Sequence, residues 1–287
     1  MSLTVTLNVF SGRPNPVWTV PEGGAAEFTE RMSSISTTSN VKPAGVMGAL
    51  GYRGFSVRRN EEADAMYVHG GVVDPGYASP TLLAGDREIE KWLLSTAGDH
   101  VSAEVKAHVE ESLAGAVSHE ALKDAVAAAR CPACVAADAP VYNPAMWNTP
   151  AVQPHNNCYN YANNRITNTF AQPGRGTGHM YAQLTSCTGT GAVEPAAVSD
   201  GLVATANFSG HLATGHGWYV ALVLWPGSDY HWYRQDKAGC WSHKPGSTAA
   251  RNVDNAGNGI TDPKTANRGP YTVFCTYMIT GTGVRIQ

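Results

Sequence analysis

The feature that most constrains this chain is Trp218-Tyr219-Val220-Ala221-Leu222-Val223-Leu224-Trp225, an unbroken apolar run stopped by Pro226-Gly227. A strand with one wet face alternates apolar and polar residues. A continuous run of this length instead predicts a strand covered on both faces. Partners for it follow directly. Tyr230 to Asp236 and Cys240 to Lys244 flank Lys237-Ala238-Gly239, a three-residue loop whose glycine can take the left-handed position such hairpins need. With that loop, Tyr233 faces His243 and Asp236 faces Cys240, and His231 and His243 lie diagonally on one face. Tyr271 to Ile279 reads as a last strand.

The first half has a different rhythm. Leu3 to Val9 alternates, Ser11 to Pro16 is a turn cluster, and Val17 to Val20 returns as a second strand. A helix is expected from Glu22 to about Ser34, then short strands at 52–57 and 65–69. From Asp86 to about Arg130, apolar residues three and four apart (Ile89, Trp92, Leu93; Val101, Val105, Val109, Leu113; Leu122, Val126, Ala129) predict three helices in series. The Pro- and Asn-rich stretch Pro140 to Pro154 has neither period. The expectation is an α+β chain: a small amino-terminal module with a helical connector (1–130), a linker (131–154), and a domain at 155–287 with a central antiparallel sheet and a helix carrying Cys158. No internal repeat of solenoid or propeller length is visible.

Composition narrows the function classes. Across 287 residues, 43% are apolar and 15% charged, enough to bury one large core or two modest ones. A net charge of -3 and the lack of any Lys/Arg run supply no field for a nucleic acid or an anionic membrane. No apolar stretch approaches the roughly 20 residues of a spanning helix, and MSLTVTLNVFSGRPNP has neither the basic nor the apolar region of a standard export signal. The expected location is therefore cytoplasmic, or outside the cell by a non-classical route. Six cysteines permit bridges without settling the compartment.

Candidate chemistry gathers in the second half. Asn157 is a good N-cap for a helix that begins at Cys158, and a thiol at a helix amino terminus is favoured as thiolate while the unpaired N–H groups can serve an oxyanion. Gln153 can add a donor there. His231 is the candidate base, with His243 to orient it. His216, at the mouth of the long apolar strand, competes as base, and Asp236 is an alternative support. The opposing reading is a buried structural Cys158 among packed core histidines. The Asn-rich run also disfavours the helix.

The combination of Cys158 opening a helix, an apolar strand, His231 and then His243 on the adjoining strand resembles the Cys-His-His order of NlpC-type bacterial cell-wall endopeptidases, within the papain-like cysteine peptidases. Cys158-Tyr159-Asn160-Tyr161, His231-Trp232-Tyr233-Arg234 and Trp241 to Gly246 also resemble a group of uncharacterised bacterial proteins, which implies no function. The endopeptidase resemblance spans about residues 150–250. It implies Cys158 as nucleophile, His231 as base, His243 as orienting residue, and hydrolysis of an amide bond in a peptide or peptidoglycan stem through a thioester, without a cofactor. Acyl transfer by the same thiol is a second enzymatic possibility. The rival from another class is a non-enzymatic binding or matrix protein, with a structural Cys158 and an aromatic surface around Trp218, Trp225, Trp232 and Trp241 that holds a carbohydrate or a partner.

Other motifs carry less. Cys131-Pro132-Ala133-Cys134 has no second such pair to complete a zinc site, and is expected as a local disulfide or two inert thiols. His211 with His216 lacks the helix and the Glu of a metal motif, and no metal is expected. In 252–259, Ala256 stands where a calcium ligand belongs, so the segment reads as a turn. Gly174 to Gly178 lacks the strand before it and the Lys after it that a phosphate loop has. Asn207-Phe208-Ser209 matches a glycosylation sequon.

Overall fold

The computed structural model describes residues 2–37, 49–59, 65–75, 82–83, 86–115 and 131–287. The chain divides into two compact units: Met1–Val9, Asn15–Met47 and Gly51–Leu122 form one, and Phe10–Pro14, Gly48–Leu50 and Lys123–Gln287 the other. The α+β class expected from sequence is what folds, with helices and two antiparallel sheets. No helix among the described residues is long and apolar enough to cross a membrane.

In the first unit, β1 (Leu3–Leu7) pairs with β2 (Val17–Val20) in the register Leu3↔Val20, and its alternate residues Leu3, Val5 and Leu7 are buried. Helix α1 (Glu22–Ser33) follows, then β3 (Ser36–Thr37), β4 (Phe55–Arg59), β5 (Met66–His69), β6 (Val72–Asp74) and β7 (Leu82–Leu83). The sheet order is β2-β1-β4-β5-β6-β7-β3. The expected hairpin, first helix and two strands are present, with the 52–57 strand displaced to Phe55–Arg59; the short β3, β6 and β7 carry too few residues for a period. Helices α2 (Glu88–Ser95) and α3 (Ala103–Ala114) bury Ile89, Leu93, Val105, Val109 and Leu113 as their spacing predicts, while Trp92 stays half-buried. The third expected helix, at Leu122 to Ala129, lies outside the described residues. Phe28 of α1 stacks on Trp92 of α2 at 5.8 Å. The buried Glu90 carboxylate accepts from Tyr52 Oη (2.7 Å) and from the Gly70 and Gly71 N–H groups (3.0 and 2.8 Å).

The second unit is built on the long apolar strand. With α4 (Pro144–Trp147), α5 (Cys158–Ala162), α6 (Val193–Ser199), β8 (Val203–Thr205), β9 (Trp218–Trp225), β10 (Asp229–Gln235), β11 (Trp241–His243) and β12 (Val273–Thr280), its sheet runs β11-β10-β9-β12-β8. All residues of β9 are buried and both its neighbours are antiparallel, the arrangement an unbroken apolar run requires. The β10–β11 register is the one read from the loop length, with Tyr233 opposite His243. Gly239 closes that loop at φ 91°, and a Cβ there would collide with the Pro132 carbonyl oxygen.

Residues 131–154, expected as a linker, lie within the second unit, where Ala136 bridges Leu212 and Lys237 N donates to Pro140 O at 2.8 Å. Disulfides join Cys131 to Cys240 and Cys187 to Cys275. This corrects the local reading of the Cys131/Cys134 motif: the β10–β11 turn brings Cys240 to Cys131, and Cys134 keeps a free thiol.

Candidate functional site

Helix α5 exists because asparagine side chains do the work that helix propensity does not. Asn157 Oδ1 accepts from the N–H groups of Tyr159 (3.0 Å) and Asn160 (3.1 Å), and Asn160 Oδ1 accepts in return from Asn157 N (3.2 Å), a reciprocal capping box. Their remaining polar atoms are spent on loops. Asn157 Nδ2 donates to Gly12 O (2.8 Å) and Ala171 O (2.7 Å), and Asn160 Nδ2 to Arg165 O (3.0 Å) and Thr167 Oγ1 (2.8 Å). The predicted N-cap at Asn157 is thus present, but the helix is little more than one turn and its macrodipole correspondingly small.

Cys158 packs beside β10 with no exposed surface. Burial pushes its thiol well above the ordinary range, and the negative charge of Asp229 adds to that; N–H groups of Trp232 and of Cys158 itself, and the Lys244 ammonium, pull in the opposite direction without reversing it. The helix-end thiolate expected from sequence is therefore a core thiol.

The two histidines do meet. His231 Nε2 lies 2.9 Å from His243 Nδ1, and His243 Nε2 lies 3.0 Å from Val253 O. A carbonyl can only accept, so His243 donates from Nε2; in the neutral pair its Nδ1 accepts from His231 Nε2–H. The rings cross at 82°, and Tyr233 stacks on His243 at 5.1 Å. Exposure is 0% for His231 and 1% for His243. These are packed rings in a closed core.

The remaining sequence candidates scatter. His216 is exposed, in a turn where its N–H donates to Ala213 O (3.1 Å). Gln153 is engaged through its carbonyl, which accepts from Lys244 Nζ at 2.6 Å. Asp236 is buried and held by Arg234, whose Nε and Nη2 both donate to Asp236 Oδ1 (2.9 and 2.8 Å). Burial raises the Asp236 carboxyl and the Arg234 charge partly offsets it. The Arg234 guanidinium also lies over the Tyr161 ring at 4.2 Å.

Two buried charges that the motif reading passed over hold this region together. Asp229 accepts from the N–H groups of Ser11 (2.5 Å), Gly12 (3.2 Å) and Arg13 (3.0 Å) and from Tyr271 Oη (2.6 Å), anchoring the Phe10–Pro14 segment to β10. Lys244 Nζ donates to the carbonyls of Gln153, Asn156 and Gly246. Each had a trace in the sequence: an acidic residue opening the aromatic strand 229–233, and a lysine closing the strand that carries His243.

Neither a known family's sequence model nor a solved structure matches the chain. A curated relative does: insoluble matrix shell protein 1 of the mollusc Ruditapes philippinarum is 46% identical over 148 residues, 51% of this chain and 93% of the relative. The chain belongs to the family of that shell matrix protein. Nearly all of the relative thus corresponds to about half of this chain.

Membership of the shell matrix family overturns the papain-like, NlpC-type assignment and, with it, the cysteine hydrolase acting on a peptide or peptidoglycan stem and the bacterial character. The physical reason is access. A nucleophile must reach a scissile bond and ionise, and the Cys158 thiol is enclosed and held protonated. The order Cys, His, His along a chain carries no information about solvent. The aromatic surface imagined for the rival reading is corrected too: Trp218, Trp225, Trp232 and Trp241 are at most 5% exposed and belong to the core.

Proposed function

We propose that the chain is a non-enzymatic structural protein of an extracellular matrix, with Cys158 a core residue. The observation that carries this reading is the 46% identity across 93% of insoluble matrix shell protein 1. The two disulfides support it, because bridges persist in oxidising compartments outside the cell. The saturated buried network of Asn157, Asn160, Asp229 and Lys244 supports it further: such a network rigidifies a single core without offering a reactive group to solvent. The partners this reading calls for are other matrix components; a net charge of -3 does not favour polyanions.

Fractionation of the tissue that makes the chain tests the proposal. An antibody to the chain should find it in the extracellular residue that resists salt and detergent extraction. Recovery as a freely soluble intracellular monomer would overturn it.

A further inference from the structure

Three of the six cysteines gather at one edge of the second unit, outside the buried site. Cys131 and Cys240 are bridged, and Cys134, three residues beyond Cys131 in Cys131-Pro132-Ala133-Cys134, keeps its thiol. The segment is pressed onto the β10–β11 turn. Gly239 sits against Pro132 O and Cys134 N so closely that a Cβ would leave only 3.2 Å to that nitrogen. Cys134 Sγ is 3.6 Å from Ala136 O, a carbonyl that also accepts from Lys237 Nζ at 3.4 Å. Cys131, Cys134 and Cys240 are each half-buried and Ala133, Lys237 and Ala238 are exposed, so the three cysteines lie where the unit meets solvent. Cys158, the other free thiol, is enclosed.

We propose that Cys131, Cys134 and Cys240 form a thiol–disulfide relay that joins one copy of this chain to the next. It rests on the matrix reading and supplies a covalent route to a network. In each step the Cys134 thiolate of one copy attacks Cys131 Sγ of a second. A Cys134–Cys131 bond forms between copies, the Cys131–Cys240 bond of the second copy breaks, and Cys240 leaves as a thiolate that takes up the proton Cys134 gave up. The number of disulfides and of thiols is unchanged, so no oxidant is consumed. The released Cys240 can attack the bridge of a third copy, and the chain of exchanges continues. An accessible thiol beside an accessible bridge is what such propagation requires.

The test uses the purified full chain, oxidised, held at pH 8 under argon and sampled by non-reducing electrophoresis. Wild type should give a concentration-dependent ladder that collapses on reduction, while wild type alkylated beforehand under native conditions, and Cys134→Ser, should remain monomeric. Cys158→Ala should ladder like wild type. Mixing isotopically labelled and unlabelled chains should yield Cys134–Cys131 peptides that combine the two. The relay is overturned if wild type stays monomeric, if the ladder needs air, if Cys134→Ser still ladders, or if mapping finds only an intrachain Cys131–Cys134 bridge. This readout on purified protein is independent of tissue fractionation, so the relay can fail while the matrix reading stands.

Discussion

Thiol reactivity separates a nucleophile from a core cysteine. The oxidised native chain carries two thiols, Cys134 and Cys158. Cys134 is half-buried at an edge; Cys158 is 0% exposed beneath β10 and held protonated by burial and by the Asp229 charge. A reagent can meet Cys158 only after the core around α5 opens. For a domain of ordinary stability that opening costs at least about 5 kcal/mol, which slows labelling roughly 10³- to 10⁴-fold relative to an accessible thiol. The raised pKa slows it further, because only thiolate reacts. Iodoacetamide at neutral pH, with peptide mapping over time, should modify Cys134 within minutes and Cys158 only when denaturant is added. Labelling of native Cys158 within about tenfold of the Cys134 rate would refute the burial argument and reopen its reactivity.

Three further outcomes follow from the same geometry. His243→Ala removes the ring that His231 Nε2 and Val253 O meet inside a closed core, and each buried hydrogen bond so lost costs about 1–3 kcal/mol; urea denaturation followed by tryptophan fluorescence should show the midpoint fall, and wild-type stability would contradict it. Gly239→Ala places a side chain at φ 91° against the Pro132 carbonyl, costing about 1–3 kcal/mol from the backbone conformation alone, and it should lower the yield of the Cys131–Cys240 bridge measured by peptide mapping. Burial raises the Asp229 carboxyl, with Tyr271 and the Ser11, Arg13 and Gly12 N–H groups partly offsetting it, so the folded state keeps that proton to higher pH than the unfolded chain. The stability it contributes is complete below about pH 4 and is lost as pH rises through the folded value. Urea midpoints of wild type relative to Asp229→Asn should therefore fall as pH rises above about 4 and then level off; a constant difference would rule the shift out.

The sequence by itself determined what is local. The unbroken run Trp218–Trp225 pointed to a strand buried on both faces, since no wet face suits eight apolar residues. The three-residue loop ending in Gly239 set the register that places His231 and His243 in contact, because strand parity follows from loop length. Asn157 announced the helix at Cys158, because an N-cap is a bond between neighbours.

What only the tertiary structure decided is access and long-range pairing. Whether Cys158, His231 and the tryptophans face solvent or core depends on which segments cover them, and Asp229 draws Ser11 to Arg13 onto β10 from more than two hundred residues away. The Cys131 partner is Cys240 rather than its neighbour Cys134, because the β10–β11 turn delivers Cys240 to that spot. Period, cap and loop length act between residues close in the chain; solvent exclusion and disulfide choice act between surfaces that meet only after folding.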